Sequence, residues 1–166
     1  MPAPTPIIDP AVFPTEVILD RAGINKYNRQ RFEFEQLTAI TLLDYDKRLV
    51  AGYRDYRADE WWTRGHFPER PLVPGVLMRE AAAQACSVYV SHFGIVKPDE
   101  LMAFGGLEDV RFRGGVVPGQ RLFLVGNAER NSRKLMRVHV QGFVEGLMVF
   151  HGIVIGATLK SDSPSP

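Results

Sequence analysis

Residues 75–93, GVLMREAAAQACSVYVSHF, constrain the fold of this chain more than any other stretch. They hold no proline, are rich in Ala and Leu-type helix formers and follow Pro74, so they predict a helix. Its middle is apolar almost all round, with Arg79, Glu80, Gln84, Ser87 and Ser91 as the polar exceptions. A helix that is apolar over most of its circumference has to be covered over most of it, so the remainder of the chain must wrap around it.

The remainder supplies strands. Four stretches, 102–113, 117–129, 133–144 and 147–160, are rich in Val, Phe, Leu and Ile. Val117-Pro118-Gly119-Gln120 carries Pro and Gly at the centre of a β-turn, and Glu145-Gly146 is a two-residue link for a tight hairpin. Upstream, apolar and polar residues interchange from Thr41 to Arg57 around a turn at 44–47, which predicts a further hairpin. Residues 24–40 place Tyr27, Phe32, Phe34, Leu37 and Ile40 at near-helical spacing, which predicts a short amphipathic helix leading into that hairpin. A hairpin, one long apolar helix and four successive antiparallel strands make an α+β domain whose curled sheet wraps the central helix. That is the outline of a hot-dog fold, although the pattern alone is shared with other α+β sandwiches.

The chain has 166 residues, one domain's worth of material, with no repeat and no dividing linker. Five of its first 14 residues are proline, so residues 1–23 are expected as an extended arm, 24–160 as the domain, and 161–166 as a disordered tail. No stretch reaches the roughly 20 apolar residues of a spanning helix, and the first residues lack the charge and apolar run of a secretory signal. The single cysteine, Cys86, can form neither an internal disulfide nor a structural zinc site by itself, which fits a reducing cytoplasm. A formal charge of +1 conceals an asymmetry: residues 111–137 carry seven basic residues against one acidic, a net +6, and the rest is −5.

Chemistry concentrates in residues 65–84, GHFPERPLVPGVLMREAAAQ. Pro68, Pro71 and Pro74 make a rigid lead-in that delivers Gly75 to the helix entrance. There, N–H groups without an intrahelical acceptor and the helix dipole favour developing negative charge, as an oxyanion site requires. His66 stands at the start of the lead-in and Glu80 lies in the most apolar stretch, beside Ala81, Ala82 and Ala83. A desolvated carboxyl suits a general acid and a neutral imidazole a general base, and together they suggest proton abstraction next to a carbonyl. Spacing alone leaves open a structural histidine and a surface glutamate paired with Arg79.

The ordered set His66-Phe67-Pro68, Pro71, Pro74-Gly75-Val76-Leu77, Glu80-Ala81, Ala83-Gln84 resembles the signature of the β-hydroxyacyl-acyl-carrier-protein dehydratases, the FabZ/FabA group of hot-dog enzymes. The resemblance extends to Asp109-Val110-Arg111-Phe112-Arg113, to Val116-Val117-Pro118-Gly119 and to Val144-Glu145-Gly146, covering about residues 40–160. It implies His66 as catalytic base, Glu80 as catalytic carboxylate and Gly75 N–H as the donor to the thioester carbonyl. Gln84 matches the family's helix glutamine and would orient Glu80, or is simply a polar helix residue. A Glu at position 80 points to the FabZ branch. The implied reaction is loss of water from a (3R)-3-hydroxyacyl thioester to give the trans-2-enoyl thioester in fatty-acid synthesis. It needs no cofactor and no metal, in keeping with a sequence that has no Gly-rich dinucleotide fingerprint or His/Cys ligand cluster. The His of one subunit would meet the Glu of its partner, so a homodimer is the minimum unit, and trimers of dimers occur in such families.

Two departures matter. Pro68-Glu69-Arg70-Pro71 replaces a turn that usually contains glycine, and the N-terminal His-Arg-x-Pro-Phe element is replaced by Asn28-Arg29-Gln30-Arg31-Phe32. Both point to a divergent FabZ-like member. The +6 segment is a candidate docking surface for acidic acyl carrier protein, through Arg111, Arg113 and Arg121, or else is the solvated face of strands. No nucleic-acid motif accompanies it. Trp61 and Trp62 are expected in the core or an interface, and His92, His139 and His151 as structural. The alternative functions are a hot-dog acyl thioesterase, an enoyl-CoA hydratase, or a non-catalytic acyl-thioester-binding subunit.

Overall fold

A computed structural model describes residues 2–132 and 134–160; the expected tail at 161–166 lies outside the described residues. Six strands form one antiparallel sheet: β1 (Ala39–Asp44), β2 (Leu49–Asp55), β3 (Glu100–Phe112), β4 (Arg121–Asn131), β5 (Leu135–Val144) and β6 (Leu147–Lys160). Their order is β1-β2-β4-β5-β6-β3. The short helix α1 (Arg21–Ile24) precedes the sheet, and the long helix α2 (Gly75–His92) links β2 to β3. The chain thus crosses from one side of the sheet to its far edge through α2, and β4 then returns to pair with β2. This is the hot-dog architecture expected.

Ala81, Val88 and Val90 of α2 are fully buried, and the sheet's inward residues Leu122, Leu124, Val138, Val140 and Phe150 close around them. Turn chemistry sets the registers. Glu145 and Gly146 both have positive φ, 51° and 79°, which gives the primed hairpin turn that matches strand twist between β5 and β6. Gln120 N–H bonds the Val117 carbonyl at 3.2 Å, with Gly119 at φ 92° where a side chain would be strained.

The helix expected over 24–40 is not formed. Only Arg21–Ile24 is α-helical, and a single 3-10 turn follows at Phe32–Phe34. The near-helical apolar spacing does not mark a buried face, because Phe32 and Phe34 are exposed. This segment is instead held by α2: Gln84 Nε2 donates to the Phe34 carbonyl at 2.6 Å, and Asn28 Nδ2 donates to the Gln84 carbonyl at 3.0 Å. Tertiary bonds override the local pattern.

Ahead of α1 the proline-rich segment lies against the sheet face opposite α2. Ile7 N–H donates to Gln141 Oε1 at 2.8 Å, Gln141 Nε2 donates to the Thr5 carbonyl at 2.9 Å, and Phe13 stacks on Phe123. At the other extreme, β3 is a 13-residue edge strand whose burial is low along most of its length. Leu101, Phe104, Leu107 and Phe112 stand exposed on it, as Val76 does on α2. Among the described residues, no helix is long and apolar enough to cross a membrane.

Candidate active site

The site forms where the proline-spaced lead-in meets α2. Buried Trp62 anchors it: its carbonyl accepts the N–H groups of Gly65 and His66 at 3.0 and 2.9 Å, and its ring meets Tyr56 edge-on. Trp61 is exposed, so of the two tryptophans only Trp62 lies in the core. Residues 66–72 close on themselves, with Leu72 N–H on the His66 carbonyl at 2.8 Å and His66 Nδ1 on the Leu72 carbonyl at 2.7 Å. Phe67 and Arg70 exchange backbone bonds within this loop, so Pro68-Glu69-Arg70-Pro71 still makes a turn without glycine. The His66–Phe67 peptide bond is cis, and the two rings stack at 4.1 Å.

A carbonyl oxygen can only accept, so Nδ1 of His66 is the donor, and Nε2 is the nitrogen left with a lone pair when the ring carries a single proton. Val73 N–H then bonds the Val116 carbonyl at 2.8 Å, which fixes Pro74 as the cap of α2. Gly75 opens the helix, where its N–H has no carbonyl one turn earlier to bond. A Cβ at Gly75 would lie 2.7 Å from the Phe112 ring, so only glycine lets that ring seat against the helix entrance.

Glu80 stands half-buried one and a half turns further on, at the edge of a cleft of about 220 Å³ whose wall includes Met102 and Phe104 of β3. Its Oε1 accepts from Gln84 Nε2 at 2.8 Å, and Gln84 Oε1 in turn accepts the Gln36 N–H at 2.9 Å. Gln84 is therefore a buried clamp with both ends of its carboxamide committed. Within one chain, among the described residues, no hydrogen bond or ion pair joins His66 to Glu80, and His66 is not part of the cleft that Glu80 lines. Cys86 is buried against Gly126 and burial pushes its thiol up to about 12, which removes it as a nucleophile.

The three arginines singled out for docking separate. Arg121 is bound to Asp55 through two bonds of 2.6 and 2.9 Å and lies 3.7 Å over the Tyr53 ring. Arg113 donates to the Pro2 carbonyl at 2.9 Å and faces His151 Nε2 at 3.1 Å, and exposed Arg111 bonds its neighbour's carbonyl. Strands β5 and β6 lie between Arg121 and the other two. His92 meets the Tyr27 hydroxyl at 3.1 Å and His139 meets Glu129 at 3.3 Å.

Two features escaped the sequence reading. Phe112 belongs to the site, and the glycine at position 75 was the signal for a close neighbour. Arg79 is 3% exposed, and all three of its guanidinium nitrogens are buried without a hydrogen-bond partner among the described residues, over the Phe150 ring and beside Gly152. Desolvation lowers its pKa. A cation inside an apolar helix stretch was visible in the sequence, but its failure to find a carboxylate was not.

A family model described as FabA-like domain matches residues 28–152. The 3-hydroxyacyl-[acyl-carrier-protein] dehydratase FabZ of Salmonella arizonae is 34% identical over 121 residues, 72% of this chain and 79% of that protein. Among solved structures, the dehydratase heterocomplex ApeI:P from Xenorhabdus doucetiae superposes with a TM-score of 0.70 at 16% identity, covering 86% of this chain and 93% of that one. A mutant of the fluoroacetyl-CoA-specific thioesterase FlK superposes with a TM-score of 0.57 at 12% identity, covering 68% and 85%. The two superpositions speak for the shared fold, and the sequence match over three quarters of the chain decides the lineage: this chain belongs to the FabA-like family of hot-dog proteins.

Proposed function

We propose that the protein dehydrates (3R)-3-hydroxyacyl thioesters to trans-2-enoyl thioesters in fatty-acid synthesis, on acyl carrier protein, at a site shared by two copies of the chain. The observation that carries this is the fixed tautomer of His66: its Nδ1–H is spent on the Leu72 carbonyl, leaving Nε2 as a base beside the entrance of α2. Nε2 takes the α-proton. Gly75 N–H and the helix dipole hold the negative charge that develops on the thioester oxygen. Glu80 of the partner subunit protonates the departing hydroxyl, and its carboxyl is held by Gln84.

Assembly across two copies is favoured by what a single chain leaves open. His66 and Glu80 share no bond within it, and the cleft beside Glu80 is walled by β3, an exposed edge strand rich in apolar side chains. Such an edge pairs with another unless it is blocked. Similarity to a FabZ that acts on carrier-bound substrate supports the same assignment of substrate and carrier. Arg111 and Arg113, at the end of β3, fit an acidic carrier better than Arg121, whose charge is spent on Asp55.

The test follows loss of the conjugated enoyl absorbance from short and medium trans-2-enoyl thioesters on carrier protein and on coenzyme A, with a thiol reagent run in parallel. Hydration without thiol release, lost in His66→Ala and in Glu80→Gln, is the expected result. Thiol release would instead identify a thioesterase, and binding without turnover a non-catalytic subunit. A carrier preference abolished by Arg113→Glu and by added salt completes the assignment, and insensitivity to both removes the docking surface.

A further inference from the structure

Four positions of α2 between Glu80 and Ser91 escape full burial, and they fall on one stripe: Glu80, Ala83, Ser87 and Ser91. The proposed chemistry uses only the first. The cleft of about 220 Å³ at Glu80 runs over Ala83 to Ser87 between apolar walls such as Met102, Met136 and Val154. A second cleft of about 300 Å³ shares Gln30, Ser87, Leu101 and Met102 with it and continues past Ser91 to Tyr27, Arg29 and Glu100. The two form one furrow that is apolar where it leaves Glu80 and polar where it ends.

That polar end is furnished for hydrogen bonding. The hydroxyls of Ser87 and Ser91 and the carboxamide of Gln30 make no side-chain hydrogen bond among the described residues, and the Tyr27 hydroxyl meets only His92 Nδ1 at 3.1 Å. A saturated chain lying among these groups would strip them of water and return nothing, whereas a hydroxyl would restore the bonds. Arg29 and Glu100 both line that end, so its formal charges offset and a neutral group matches it better than a carboxylate. At 1.5 Å per helical residue, Ser87 and Ser91 lie roughly 10 and 16 Å beyond Glu80 along the helix axis.

We infer that the furrow selects acyl thioesters whose chain carries a neutral hydroxyl-bearing group at its far end, with Ser87 and Ser91 as the specificity-determining residues. This rests on the dehydratase reading of the Glu80 site, which fixes where the thioester end lies.

The experiment compares kcat/KM on three trans-2-enoyl thioesters of equal, medium chain length ending in methyl, hydroxyl or carboxylate, in the wild type and in a Ser87→Ala/Ser91→Ala double variant. The hydroxyl-ended substrate is expected to lead the methyl-ended one by about tenfold or more in the wild type, and that ratio to collapse in the double variant. Because the ratio is internal to each protein, a general loss of folding leaves it unchanged. Equal rates on methyl and hydroxyl ends, a carboxylate in the lead, or a ratio that survives both substitutions would overturn the inference. Should no thioester be turned over, the dehydratase reading fails separately. Calorimetry with saturated methyl-ended and hydroxyl-ended acyl thioesters then decides the furrow, and equal affinities overturn it.

Discussion

Gln84 holds Glu80 by a 2.8 Å bond from Nε2 to Oε1 while the same nitrogen donates to the Phe34 carbonyl and Oε1 of Gln84 accepts the Gln36 N–H. One buried carboxamide therefore ties the Glu80 carboxylate to the segment that precedes β1. Gln84→Ala leaves the Gln36 N–H and Phe34 carbonyl unmet, at a cost of about 1–3 kcal/mol for each buried group, and frees Glu80. The expected outcome is a lower midpoint in urea, with kcat falling more than KM rises, because substrate contacts are kept. A variant with unchanged stability and kcat would show that the clamp is idle.

Gly75 and Phe112 form a second coupled pair. Substituting Ala for Gly inside a helix is ordinarily favourable by up to about 1 kcal/mol, but here the added Cβ would stand 2.7 Å from the Phe112 ring. Gly75→Ala should destabilise by about 1–3 kcal/mol through overpacking, and Phe112→Ala in the same chain should recover part of that loss. Thermal or urea melts of the two single variants and the double close the cycle, and strictly additive effects would contradict the contact.

Much of this was legible in the sequence, and the reasons are local. Pro74 and the proline-free run after it set the start of α2, and the helix ends at His92, one residue short of the expected 93. Glu145-Gly146 and Pro118-Gly119 marked two turns because Gly146 and Gly119 take positive φ, which glycine adopts without strain. The placement of His66 on the lead-in, Gly75 at the helix entrance and Glu80 within α2 could be read because a rigid lead-in and a helix entrance are short-range features. Residues 24–40 could not be read: their bonds go to Gln84, some fifty positions away, and a periodicity count does not see them. Nor could the edge position of β3 be read, since strand order depends on the crossover through α2.

Arg79 makes an opposite kind of prediction. A guanidinium with its nitrogens buried and unpaired costs more than an apolar side chain of similar length would. Arg79→Met should therefore stabilise the protein by about 1–3 kcal/mol, seen as a raised Tm. A lowered Tm would mean that Arg79 meets a partner in the assembled protein.

His151 titrates below its ordinary value, first because burial disfavours its cation and then because Arg113, Arg111 and Arg79 surround it. The folded state therefore binds fewer protons here than the unfolded state. Its contribution to stability is fully present above the ordinary histidine pKa of about 6.5 and is lost as pH falls below it towards the lowered folded value. Stability measured in urea from pH 7.5 down to 5 should decline more steeply in the wild type than in His151→Gln. Parallel curves would contradict this.

Subunit mixing tests the shared site most directly. His66→Ala and Glu80→Gln are each expected to be inactive alone. Unfolded together in equal amounts and refolded, half of the dimers would pair one copy of each, and one of their two sites would join an intact His66 to an intact Glu80. About a quarter of wild-type dehydratase activity should then return, by the two-fold symmetry of such a dimer. A mixture that stays as inactive as its parents, with mixed dimers verified by mass spectrometry, would contradict a site built from two chains.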